Sequence, residues 1–132
     1  MQTTSWSYRM TDIEYLDSLV SAYGHRVFAK YNAKNPSLDV YIGRPSILGN
    51  PFMTRNNKTL KDRIDNCVKF KFYLHDIIKT NSNPALINAV RALKGKNVVC
   101  WCSNGTTHVS EGARYCHGHI LLSTCDYLNG VQ

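Results

Sequence analysis

The arrangement of this chain follows from one short apolar stretch, Asn97-Val98-Val99-Cys100-Trp101-Cys102. A continuous apolar run of this length is typical of a strand that is buried on both faces, as in a parallel sheet. Two earlier segments, residues 26–31 and 39–43, alternate in the manner of strands, and turn-forming residues lie between them. We therefore expect these two segments to form a hairpin. Residues 97–102 should join the second of them as a parallel neighbour through a two-helix crossover.

Apolar residues at helical spacing predict four helices, over residues 11–23, 59–79, 84–93 and 115–128. Asn83 followed by Pro84 is a typical start for the third of them. The predicted fold class is α/β: a small mixed sheet, made of a hairpin plus a parallel-paired strand, with about four helices packed on it. Residues 1–25 are predicted to be an N-terminal extension with one helix, and residues 26–132 a single α/β domain.

The composition indicates an ordinary globular chain of 132 residues, of which 43% are hydrophobic and 19% charged. No apolar run approaches the roughly 18 residues of a membrane span, and the first residues do not resemble a secretory signal. We therefore expect a cytoplasmic protein without a membrane partner, in which the five cysteines are thiols rather than disulfides.

The formal net charge is +7, and it is concentrated in the middle of the chain. Residues 44–96 contain eleven Lys and Arg residues against three acidic residues. Such a segment suggests an anionic partner, either a small phosphate-bearing molecule or nucleic acid. The alternative is a solvated, Lys-rich helix face with no partner.

The residues best suited to chemistry are a group of cysteines and a histidine. Cys100 and Cys102 should share one strand face. Cys116 and His117 fall at the start of the last helix, where the helix dipole stabilises a thiolate. Three thiols and one imidazole would satisfy a tetrahedral zinc ion. His119 is an alternative ligand to His117, but the two lie about 200° apart around the helix and can hardly serve one centre.

Two other interpretations of this group remain open. Cys102 or Cys116 could be a catalytic nucleophile, with His117 as the base. The thiols could also simply pack as small hydrophobic side chains. The spacing differs from the C-x₂-C pattern of common zinc modules, so it does not decide between these interpretations.

The irregular segment after the second strand offers a possible binding loop. Arg44 supplies a guanidinium, Ser46 a hydroxyl and Asn50 an amide, and ligands in α/β sheets bind beyond the carboxyl ends of strands. These groups could hold a phosphate or a carboxylate. Alternatively, the loop side chains bond only to their own backbone.

Taken together, these segments resemble the family called domain of unknown function 4326, seen in bacteria and their phages. The similar parts are Tyr41-Ile42-Gly43-Arg44-Pro45-Ser46, Gly49-Asn50-Pro51-Phe52, Cys100-Trp101-Cys102 and Cys116-His117-Gly118. The resemblance covers roughly residues 26–128 and favours His117 over His119. Two features depart from the family pattern: a longer loop over residues 103–115, and the first 25 residues. If the chain is phage-encoded, the resemblance places it in the host cytoplasm.

Three functions compete at this point. The first is binding or processing of a small anionic, nucleotide-like ligand at the Cys/His site, and whether this includes catalysis stays open. The second is a basic phage accessory protein that binds nucleic acid or a host protein. The third is a structural zinc-binding domain. A pocket joining Arg44, Asn50 and Cys102 would favour the first, and a basic face remote from the cysteines would favour the second.

Overall fold

The structure is a computed structural model, and it describes residues 10–29, 35–52, 60–100 and 115–130. Its helices and strands follow the chain as α1 (Met10–Tyr23), β1 (Val27–Ala29), β2 (Asp39–Tyr41), α2 (Leu60–Thr80), α3 (Pro84–Arg91), β3 (Asn97–Cys100) and α4 (His117–Leu128). A short 3₁₀ turn, Gly24–Arg26, leads from α1 into β1. The predicted α/β class, with a small three-stranded sheet and four helices, is confirmed.

The sheet has the order β1-β3-β2, and both strand pairs are parallel. Val98 of β3 is opposite Val27 on one side and Val40 on the other. The predicted parallel pairing of β2 with β3 is therefore confirmed. Because parallel strands end at the same edge of a sheet, the end of β2 and the end of β3 lie side by side.

The predicted hairpin is wrong, and with it the mixed character of the sheet. β1 and β2 do not pair with each other; β3 lies between them and pairs with both. Val98 and Val99 are buried, so β3 takes the central position, where both faces and both edges are covered. Alternation within residues 26–31 and 39–43 predicts strands, but it does not identify their partners.

Polar contacts at the start of β3 hold this strand between β1 and β2. On one side, the Arg26 guanidinium donates to the carbonyl oxygen of Lys96, at 2.6 and 2.9 Å from its two nitrogens. On the other side, Asn97 Nδ2 donates to the Asp39 carboxylate at 3.1 Å. These bonds hold β1 and β2 against opposite edges of the same strand.

The helices share one hydrophobic core with the sheet. Leu16 and Leu19 of α1 are buried in that core together with residues of α2, α3, α4 and β3. Two tyrosines anchor α1 further, since Tyr23 donates to Asp126 and Tyr115 donates to Asp17, each at 2.7 Å. The predicted start of α3 is confirmed, because the Asn83 side chain accepts the Leu86 N–H at 3.1 Å. Within the described ranges, no helix has the length and apolar character that crossing a membrane would need.

Candidate metal centre

Three side chains converge where the end of β3 meets the start of α4. Cys100 is the last residue of β3, Cys116 is the N-cap of α4, and His117 is its first residue. One potential ligand atom from each lies within 4.8 Å of the other two, and all three residues are buried. Two thiols and one imidazole at this spacing could hold a metal ion.

The sulfurs of Cys100 and Cys116 are 2.9 Å apart, close enough for one thiol to donate to the other. Two thiolates on one tetrahedral zinc ion, each at about 2.3 Å from the metal, lie about 3.8 Å apart. Metal binding would therefore widen this separation by about 0.9 Å, which small rotations of the two side chains can provide.

His117 is oriented by the backbone just after β2. Its Nε2 lies 2.9 Å from the carbonyl oxygen of Ile42, an acceptor, so Nε2 carries the proton and Nδ1 does not. Nδ1 lies 3.9 Å from the Cys116 sulfur, on the side of the ring that meets the cluster. Burial lowers the pKa of His117 below its usual value, which favours the neutral imidazole that a metal requires. A histidine whose other nitrogen is held by a carbonyl is typical of metal sites.

His119 has a different role. Its Nδ1 lies 3.2 Å from the backbone nitrogen of Cys116 and accepts that N–H, as part of a capping box at the start of α4. The Cys116 sulfur in turn accepts the N–H of Gly118 at 3.3 Å. A backbone donor of this kind stabilises a thiolate. The structure thus brings His117, and not His119, into the cluster.

Gly118 allows α4 to approach the sheet closely at this point. A Cβ atom at this position would lie 2.8 Å from Val98 Cγ2 and 3.0 Å from Ile42 Cδ1. It would also lie 3.4 Å from the Cys116 sulfur. Since only a residue without a side chain fits here, Gly118 determines how far the cysteine and the histidine extend over the end of the sheet.

The loop that begins after β2 lies beside the cluster, through the contact between Ile42 and His117. Its own polar groups are used largely within the loop. The Ser46 hydroxyl accepts the Leu48 N–H at 3.1 Å, and Asn50, which is buried, accepts the Phe52 N–H at 2.8 Å. Asn50 also donates to the carbonyl of Asn66 on α2 at 3.3 Å. Arg44 is exposed at the start of the loop.

Comparison with known protein families identifies the segment that contains both the loop and the cluster. The family model of the domain of unknown function DUF4326 matches residues 26–127 of the 132-residue chain. The chain belongs to the DUF4326 family. The matched segment of this DUF4326 domain begins after α1 and includes all three strands. Comparisons with curated proteins and with solved structures gave no match.

One predicted member of the site, Cys102, lies outside the described residues, as does most of the loop over residues 103–115. Cys67 and Cys125 are buried free thiols outside the cluster. Burial raises the pKa of Cys67 to about 12, so its thiol stays protonated. The pKa of Cys125 is raised as well, chiefly by burial.

Sequence reasoning missed several groups around the cluster. The Ile42 carbonyl is a backbone atom, and no residue type identifies it in advance. A series of aromatic contacts also connects His117 to the loop. The His117 ring meets the edge of Phe70 at 5.1 Å, Phe70 stacks with Tyr73 at 5.9 Å, and Tyr73 meets Phe52 at 5.7 Å. Phe70 and Tyr73 lie on α2 three residues apart. In the sequence, this spacing indicates a buried helix face and not a contact with His117.

Proposed function

We propose that this DUF4326 domain binds zinc through Cys100, Cys116 and His117, and holds a small anionic, nucleotide-like ligand beside the metal. The observation that carries the proposal is the convergence of two thiols and an imidazole whose Nε2 is anchored on the Ile42 carbonyl. That anchor fixes both the ring orientation and the tautomer needed for ligation through Nδ1.

Zinc is the metal that this donor set suits best. Sulfur and imidazole nitrogen are its usual protein ligands, and two thiolates would neutralise its charge inside a buried site. Three protein ligands leave a fourth position in a tetrahedral site. If Cys102 fills that position, the centre is closed and structural; if a ligand atom fills it, the centre is open and can act on that ligand.

The anionic ligand is inferred from the position of the site. Ligands of open α/β sheets bind beyond the carboxyl ends of parallel strands, and the cluster lies at this edge. Arg44 is exposed on the loop that leaves the neighbouring strand, and its planar guanidinium suits a phosphate or carboxylate. Ser46 and Asn50 would support the ligand by holding the loop, since their side chains bond its backbone.

Catalysis by Cys102 or Cys116, with His117 as the base, is the alternative use of the same residues. Cys116 is only 3% exposed, whereas a nucleophilic thiol must be reached by its substrate. This burial favours a ligand role for Cys116.

Metal analysis tests the zinc site. Wild-type protein purified without chelators should contain zinc in equimolar amount, and Cys116→Ser should lose it. Cys67→Ser is the matched control, because Cys67 is equally buried but lies outside the cluster, and it should keep its zinc. Circular dichroism verifies that each variant is folded. Zinc-free wild-type protein, or full zinc in Cys116→Ser, would contradict the proposal.

Two further variants separate a closed centre from an open one. Cys102→Ser should abolish tight zinc binding if the centre is structural and should retain it if the fourth position belongs to a ligand. Arg44→Ala should keep its zinc but be stabilised less by nucleotides in thermal unfolding than the wild-type protein. Lys94→Ala is the control for charge, since Lys94 is exposed in the turn after α3. Equal stabilisation of the wild type and Arg44→Ala would remove the role assigned to Arg44.

A further inference from the structure

A cleft lies away from the metal centre, between α1, α2 and α4. Its volume is about 440 Å³, and its lining includes Tyr15, Lys71, His75, Ile78, Lys79 and Tyr127. This volume is within the range of small-molecule sites. On α4 the cleft begins seven residues after His117, so it lies about 10 to 15 Å along the helix from the metal centre.

One wall of the cleft is a row of basic side chains on α2. Lys71, His75 and Lys79 follow one another at intervals of four residues and therefore share a helix face. Lys71 and Lys79 place two ammonium groups on this face, so an anion beside them would be favourable. In the described part of the chain, the residues that line the cleft include no carboxylate.

The opposite wall is aromatic. Tyr127 of α4 is 73% exposed, so its ring is open for stacking. Tyr15 of α1 lies under Lys71, whose Nζ is 4.1 Å from the ring centroid. This contact holds the Lys71 ammonium over an aromatic ring that lines the cleft.

We propose that this cleft binds a nucleotide unit, with the two phosphates that flank it on Lys71 and Lys79 and its base stacked on Tyr127. Proteins that bind single-stranded nucleic acid pair basic side chains with the phosphates and stack aromatic rings on the bases. The net charge of +7 favours such a polyanion. Tyr15 comes from α1, outside the matched segment 26–127, so the family model does not cover this part of the cleft.

Fluorescence anisotropy with a labelled oligothymidylate tests the proposal. For single strands, the logarithm of the affinity falls as the logarithm of the salt concentration rises, and each phosphate contact adds about 0.7 to the steepness of this slope. The double variant Lys71→Gln/Lys79→Gln should therefore lower the slope by about 1.4. The single variant Lys79→Gln should lower it by about 0.7, and it remains informative if the loss of Lys71 from Tyr15 disturbs folding. Tyr127→Ala should weaken binding about fivefold or more through lost stacking.

The matched control is Arg91→Gln/Lys94→Gln, which removes the same charge from exposed positions on α3 and the following turn. It should leave affinity and slope unchanged. Competition by adenosine monophosphate identifies the source of the nucleotide. If adenosine monophosphate displaces the oligonucleotide, the cleft takes free nucleotides. If it does not, but the Lys71, Lys79 and Tyr127 variants still weaken oligonucleotide binding, the cleft takes a strand. Equal losses in the control and cleft variants, or no binding of either probe, would overturn the proposal.

Discussion

Replacing Gly118 by alanine would measure how tightly the start of α4 is packed against the sheet. The new Cβ would lie 2.8 Å from Val98 Cγ2 and 3.0 Å from Ile42 Cδ1, both closer than van der Waals contact. Val98 and Ile42 are completely buried, so neither can move aside without disturbing its own neighbours. Overpacking of this kind costs about 1–3 kcal/mol, and the higher helix propensity of alanine offsets up to about 1 kcal/mol.

The net expectation is a loss of about 1–2 kcal/mol in the free energy of unfolding, measured by urea denaturation. Gly24→Ala is the matched control. Its Cβ would meet only Val20 Cγ1, at an ordinary 3.8 Å, so its stability should stay the same or rise slightly.

Gly118→Ala should also weaken zinc binding, because the clash with Val98 and Ile42 would shift the start of α4, which carries Cys116 and His117. A competition assay with a colorimetric chelator measures this effect on folded protein. If Gly118→Ala were as stable as Gly24→Ala and bound zinc equally well, the close approach described for α4 would be incorrect.

Three further predictions concern buried polar groups and thiols. In metal-free protein, the lowered pKa of His117 means that the unfolded chain binds its proton more tightly. Stability should therefore be fully present above about pH 6.5 and fall below it, by at most about 1.4 kcal/mol per pH unit; His117→Gln should flatten this dependence in urea titrations. Cys67, whose pKa is raised to about 12, should resist alkylation at pH 8 in folded protein, and rapid labelling detected by mass spectrometry would refute its burial. Asn50→Ala should cost about 1–3 kcal/mol in thermal unfolding, since it leaves the buried carbonyl of Asn66 and the Phe52 N–H without these bonds; an unchanged melting temperature would contradict that anchoring role.

The helices and one strand pairing were predictable because their determinants are local or follow from chain direction. Apolar periodicity gave α2 to within one residue at each end, and Asn83 marked the start of α3 through its own side chain. The parallel pairing of β2 with β3 followed from the helices that connect them. The partner of β1 was not predictable in this way, because alternating residues specify a face and not a neighbour.

The cluster was partly predictable for a similar reason. The position of Cys100 on a strand and of Cys116 and His117 at a helix start both follow from sequence, and the structure brings these residues together. The bond from His117 to the Ile42 carbonyl could not be anticipated, since every residue carries the same backbone group. Asn50 illustrates the converse limit: its amide suits a ligand and a loop equally well, and only its buried contacts reveal the second use.

The central position of β3 also determines when the sheet can form during synthesis. Every strand pair in the described ranges includes β3, yet β3 is the last strand to be made, 71 positions after Val27 in the register with Val98. Until residues 97–100 leave the ribosome, β1 and β2 have exposed edges that could pair with other chains. The newly made N-terminal part of the protein therefore depends on its helices alone. Its assembly into a sheet, and with it the placing of Cys100, is a late event, and the core and the candidate metal centre are complete only after α4 has followed with Cys116 and His117.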